Sequence, residues 1–150
     1  MIGVDTNILV YAHRDDSSWH QPASATIASL AEGSENWAIP WPVVHEFLAI
    51  VTHPRIYDPP TPTDQAISQV EAWMEAPRIR LIGEDSGYWP HLRDVATGAR
   101  IAGPAIHDAR VAAICIRWNV RELWTADRDF SRFRDLKVKN PLVDAIQDSR

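Results

Sequence analysis

The chain has a single cysteine, Cys115, among its 150 residues. That excludes an intrachain disulfide and a cysteine-rich zinc site, and it suits a reducing compartment. Long apolar runs are also missing. The longest, Val111 to Ile116, is six residues, whereas a membrane-crossing helix needs about 20. The N-terminus meets Asp5 where a signal peptide would carry a charged start and a longer apolar run. A cytoplasmic protein without membrane contact is expected. Glycine is scarce: the six glycines form neither GxGxxG nor a P-loop, so no phosphate-cradling nucleotide loop is expected. His45-Glu46 has no second histidine at metalloprotease spacing, which removes the HExxH reading.

What is present is ordinary for one globular domain over residues 1–150: 45% hydrophobic and 23% charged residues. The net charge of −5 argues against a general nucleic-acid binder, but its distribution is uneven. From Arg117 to Lys139 seven basic residues face four acids, which nets +3 and leaves −8 on the rest. A basic stretch on an acidic body permits a phosphate-bearing partner.

Punctuation by proline, glycine and apolar spacing predicts alternating strands and helices. Strands are expected at Ile2–Val4, Trp37–Ile39, Arg78–Ile82, Glu122–Thr125 and Leu136–Lys139. Helices are expected at Thr6–Tyr11, His20–Glu32, Pro42–Val51, from a capped start at Thr61-Pro62-Thr63-Asp64 up to Pro77, at Tyr88–Thr97 and at Ala105–Trp118. Residues 53–62, with four prolines, read as a stiff loop, and Gly98–Pro104 as another. In the helix before Pro77, Ala66, Ile67, Val70, Trp73 and Met74 form one apolar stripe. Trp37, Trp73, Trp118 and Trp124 fall on or beside core-facing segments, whereas Trp19, Trp41 and Trp89 are candidates for an interface. This alternation implies an α/β fold with a mainly parallel sheet covered on both faces. Ligands in such folds sit outside the carboxyl ends of the strands.

Four acids fall near that side. Asp5 directly follows the first strand and suits a helix N-cap as well as a site. Glu46 lies at the edge of the apolar arc of Val43, Val44, Phe47, Leu48, Ile50 and Val51. Asp108 falls inside the apolar arc of its helix with Val111, Ala112 and Cys115; a carboxylate aimed at a core is costly unless paired or metal-bound, although the helix dipole eases it. Asp127 follows the fourth strand, with Asp129 two residues on and Thr125 just before, where turn formation is the plain alternative. Carboxylates brought together raise one another's pKa, and a hard divalent cation relieves the repulsion.

The order DTN after the first strand, a Glu in a mid-chain helix, HDARVAAI and then TADRDF resembles the PIN-domain ribonucleases, specifically the VapC-like toxins of type II toxin–antitoxin pairs. THPRIYDPPTP followed by an amphipathic helix with Trp73 is similar to one VapC subgroup. The resemblance spans MIGVDTNIL to KVKNPL. It implies a three-layer α/β/α sandwich with about five mainly parallel strands. It implies an Mg2+- or Mn2+-dependent endoribonuclease that hydrolyses RNA, of which tRNA or rRNA is typical, and leaves 5′-phosphate and 3′-hydroxyl ends. By resemblance Asp5, Glu46, Asp108 and Asp127 are the catalytic, metal-holding acids, Asp129 matches a variable further acid, and Thr125 matches a hydroxyl beside the metal. Arg14, Arg110, Arg128 and Arg132 are candidates to grip RNA phosphates, although plain surface charge is the favoured reading of any single one; His107 receives no role. A VapB-like antitoxin, laid over the N-terminal helices and the 63–76 helix, and a homodimer are further implications.

Two rival readings remain at this level. One is a non-catalytic PIN-like module binding RNA or an antitoxin, against which the complete acid set counts. The other is a phosphotransfer domain with Asp5 as nucleophile; that chemistry wants an Asp two residues on, where Asn7 stands.

Overall fold

The computed structural model describes residues 1–143. Its elements run β1 Ile2–Val4, α1 Thr6–His13, α2 His20–Glu32, β2 Trp37–Pro40, α3 Trp41–Val51, α4 Thr63–Met74, β3 Ile79–Ile82, α5 Trp89–Gly98, α6 Ile106–Arg117, β4 Glu122–Trp124 and β5 Val138–Lys139. Short 3-10 turns occupy Gly103–Ala105 and Arg128–Arg132. The alternation read from the sequence is present, with boundaries moved by one or two residues. Two-residue changes fall at α1, which continues past Tyr11 to His13 where Arg14 N–H still reaches Val10 O at 2.9 Å, and at β5, which starts at Val138 rather than Leu136.

All strand pairs are parallel, in the order β3-β2-β1-β4-β5. The chain therefore steps outward from β1 to β3, crosses back and steps outward again from β4 to β5. Right-handed crossovers then put α1–α4 on one face and α5–α6 on the other, which makes three layers. The helix contacts agree: α1 packs on α2 and α3, α3 on α4, and α5 on α6. The reversal of strand order falls between β1 and β4, so their carboxyl ends open a crevice there.

The central strands are short and apolar because they are covered on both sides: Ile2, Val4, Trp37, Ile39 and Leu123 are all buried. Gly3 brings α6 close to β1. A Cβ at that position would stand 3.1 Å from Val120 Cγ1 and 3.5 Å from Cys115 Sγ. The end of α6 is fixed by Asn119 at φ 57°, with Val120 N–H on Cys115 O at 2.9 Å and Asn119 N–H on Ile116 O at 3.1 Å. This is a left-handed helix stop, and it feeds the chain straight into β4.

Three sequence expectations need correction. The 61–64 segment does not cap α4: no side-chain cap bond forms, Pro62 precedes the helix, and buried Thr61 instead bonds His13 Nε2 at 3.0 Å and Arg14 at 3.2 Å. The α4 stripe splits, with Ala66, Val70 and Trp73 buried while Ile67 and Met74 stay exposed, because α4 packs by a narrow edge against α3 and β3. Trp118 is also exposed. It sits just past the end of α6, where its indole N–H donates to Gly83 O at 2.8 Å and its ring lies under the Arg117 guanidinium.

Candidate active site

The crevice at the β1–β4 reversal is lined by Asp5, Glu46, Asp108 and Asp127, together with Thr6, Asn7, Tyr11, Tyr57 and His107. Asp5 leaves the end of β1 and caps α1, accepting Thr6 N–H on Oδ1 at 2.8 Å. Its other oxygen accepts the Thr125 hydroxyl at 2.7 Å. The cap reading and the site reading of Asp5 therefore describe the same carboxylate. Glu46, exposed in the second turn of α3, is tied to this group by the Thr6 hydroxyl at 3.2 Å.

Thr125 is the hub. Its oxygen accepts Asp127 N–H at 3.0 Å and the Asn7 amide at 3.3 Å, which fills both acceptor positions. Its single proton is therefore directed to Asp5. Asn7 is oriented in turn, because Ala126 N–H donates to its Oδ1 at 3.0 Å. The loop after β1 and the loop after β4 are thus clamped through two side chains. Sequence reasoning missed Asn7 and Thr6. Their adjacency to Asp5 in DTN was the available signal, but it carries no distance to Glu46 or Thr125.

Asp108, Asp127 and Asp129 form a second grouping, each offering an oxygen within 4.8 Å of the others. Asp127 Oδ1 accepts Asp129 N–H at 2.9 Å in the turn that follows β4. Asp108 is not aimed at the core, as its helical arc suggested. Ile106 and His107 in the first turn of α6 are exposed, Ala109 is the first buried residue and continuous burial starts only at Val111, so the Asp108 side chain keeps 33% of its surface.

Burial dominates the electrostatics of Asp5. With 6% exposure, its carboxyl is pushed up from 3.8 to about 6 by lost solvation; the Thr125 and Thr6 hydrogen bonds oppose this, and the charges of Glu46 and Asp127 add to it. Asp108 is also raised, by burial and then by Asp127, with Arg132 pulling the other way.

The four arginines are not equivalent. Arg14 is committed elsewhere: it bonds Asp16, Pro59 O and Thr61, and stacks at 4.2 Å on Tyr57, in a groove with Asp15 and Asp58. Arg110 pairs with Glu84 and shares a groove with Glu46, His107 and Asp108. Arg128 lines a groove beside Asp127 with Ser131 and Asn140. Arg132 stands at the acids themselves, 3.8 Å from Asp108 and 3.5 Å from Asp129.

A family model described as "PIN domain" matches residues 2–136. The chain belongs to the PIN domain family. Ribonuclease VapC43 of Mycobacterium tuberculosis is 34% identical over 142 residues, covering 95% of this chain and 96% of that protein. Ribonuclease VapC48 of the same species is 29% identical over 137 residues, covering 91% and 94%. Among solved structures, VapBC2 from Rickettsia felis bound to a promoter DNA fragment aligns with a TM-score of 0.69 at 22% identity, covering 93% of this chain and 98% of that one. The family match and the fold thus agree with the resemblance carried by DTN, HDARVAAI and TADRDF.

Proposed function

We propose that this PIN-domain protein is a divalent-metal-dependent endoribonuclease, the toxin of a VapBC-like pair. The observation that carries the reading is the convergence of Asp5, Glu46, Asp108 and Asp127, from four separate elements, on one crevice at the strand-order reversal. The relatives named as ribonucleases support it.

The donor set is all carboxylate oxygen, with three acids held at mutual distances that like charges tolerate poorly, and this fits a hard cation such as Mg2+ or Mn2+. Asp5, Asp108 and Asp127 would hold it, with Glu46 completing the set and Asp129 as a further ligand. Such a cation supplies Lewis-acid activation for phosphodiester hydrolysis. The protein's own part is to hold the acids in place. Thr125 and Asn7 fix Asp5 against the β4 loop, Thr6 holds Glu46, and the helix dipole of α6 supports Asp108. Arg132, beside Asp108 and Asp129, and Arg128, in a groove that Asp127 also lines, would take phosphate oxygens of an RNA strand, with Arg110 in the groove it shares with Glu46; Arg14 is the weakest of the four candidates.

Exposed Ile67 and Met74 on α4, with Ile56 in the proline loop, are the apolar surface we assign to a VapB-like antitoxin. Exposed Trp41 and Trp118 both meet Gly83, Trp118 beside the Arg117–Asp85 pair, and we assign them, with exposed Trp89 at the start of α5, to a homodimer contact. Among the described residues no helix is long and apolar enough to cross a membrane; action on cellular RNA would put the protein in the cytoplasm.

The test is cleavage of total RNA by antitoxin-free protein with Mg2+ or Mn2+ against EDTA, beside Asp108→Asn, with the new ends sequenced. Metal-dependent cuts with 5′-phosphate ends, absent from the variant, are expected. A 2′,3′-cyclic phosphate end would remove the carboxylate–metal route. Folded, metal-loaded protein that binds RNA or antitoxin without cutting would favour the non-catalytic module.

A further inference from the structure

We propose that Arg132 is a resident cation of the acid cluster that sets how tightly the site takes its divalent metal. The proposal rests on the nuclease reading above for the nature of that metal. The Arg132 Nη2 lies 3.8 Å from Asp108 Oδ2 and 3.5 Å from Asp129 Oδ2, within ion-pair range of both and hydrogen-bonded to neither. Its position is not that of a freely swinging surface arginine. The Nε–H donates to the Asp129 carbonyl oxygen at 2.8 Å, which folds the side chain back over its own 3-10 turn, and only 32% of the side chain is exposed.

Two consequences follow from charge alone. Without metal, the guanidinium offsets the repulsion among Asp108, Asp127 and Asp129, whose oxygens crowd within 4.8 Å. With metal, the anchored guanidinium cannot retreat far and repels the incoming cation. At a half-exposed site, where the effective dielectric approaches that of water, a divalent ion roughly 5 Å from a fixed positive charge binds about tenfold more weakly than it would without it. Arg132 therefore keeps the acids assembled at the cost of metal affinity. A neutral side chain at this position gives a tighter metal site, whereas an organising role for the arginine alone gives a looser one.

The experiment is calorimetric titration of Mn2+ into the full chain, wild type, Arg132→Gln and Arg132→Lys, at one pH and ionic strength. Arg132→Gln is expected to bind about tenfold more tightly, and Arg132→Lys, which keeps the charge and loses the anchor, to stay within about threefold of wild type. Unchanged or weaker binding by Arg132→Gln overturns the proposal, and so does a lysine variant as tight as the glutamine one. Circular dichroism of each protein separates these results from loss of fold. If no folded variant takes Mn2+, the metal reading falls and this inference with it. If RNA cleavage is metal-dependent and Arg132→Gln binds as wild type does, this inference alone falls.

Discussion

The two halves of the acid crevice are built differently. Around Asp5 the carboxylate is buried, both oxygens are hydrogen-bonded and every partner is itself held: Thr125 by Asn7 and Asp127, Asn7 by the Ala126 backbone. Around Asp108 and Asp129 the side chains are about one-third and two-thirds exposed, and an arginine stands beside them. The first half has rigid geometry with a desolvation cost already incurred; the second has crowded charge with room to move. On the proposed reading, a divalent metal held by these acids would have one fixed ligand, Asp5, and several adjustable ones. Precision at the crevice is therefore set by the β1–β4 clamp, and adaptability by the start of α6 and the turn after β4.

The strongest way to break this picture is to remove one charge from each half. Asp5→Asn and Asp108→Asn should each lower cleavage by about a thousandfold or more, the scale on which loss of a group acting directly on the reacting phosphate is felt. Single-turnover cleavage of a defined RNA, with metal saturating, measures it. A residual rate within tenfold of wild type for either variant would show that its half is dispensable.

Much of this architecture was legible in the chain. Alternating apolar runs and Pro/Gly punctuation gave the strand and helix order, because a buried parallel sheet leaves no polar positions in Ile2–Val4 or Trp37–Pro40. The acids were legible as types at strand ends and helix starts. The clamp was not: the Asn7–Thr125 bond joins residues 118 apart, and nothing in local pattern encodes that distance. Exposure was misread for the same reason. Helical spacing puts Ile67, Met74 and Asp108 on an apolar arc, but whether a neighbour covers that turn depends on helix placement, and neither the edge of α4 nor the first turn of α6 is fully covered.

Stability offers a second contrast. The Asp5 carboxyl is raised to about 6, so the folded, metal-free protein favours its protonated form. Its stabilising share is fully present below pH 4 and is lost as pH rises through 6, on the order of 3 kcal/mol for a shift of about two units. Denaturant melts of metal-free protein should show this loss between pH 4 and 6, and Asp5→Asn should abolish it. The inactive variant is then expected to be the more stable one at pH 7 without metal, a trade common at charged buried sites. An unchanged pH dependence in Asp5→Asn would place the titration elsewhere.

A smaller effect tests the clamp itself. Thr125→Val removes the hydroxyl that directs its proton to Asp5 and accepts from Asn7 and Asp127, while keeping the shape. Groups that orient a metal ligand typically contribute about 10- to 100-fold, and a loss of that size in cleavage is expected. Thr125→Ser, which restores the hydroxyl, should recover most of it. A Thr125→Val rate near wild type, with the loss confined to Thr125→Ser, would mean that the methyl packing matters and the hydrogen bonds do not.

Asp129 should matter least, and its variant sharpens the comparison most finely. It shares the acid cluster with Asp108 and Asp127 by distance, yet its side chain is 69% exposed and its charge is partly met by Arg132. An exposed carboxylate outside the clamp adds screened attraction to a metal and little geometry. Asp129→Asn should therefore weaken Mn2+ binding by a few-fold, on the scale of a single screened charge, and leave the saturated cleavage rate near wild type. Calorimetry and single-turnover rates on the same protein decide it. A collapse of the saturated rate would make Asp129 a full member of the metal-holding set and move the adaptable half of the site into the chemistry.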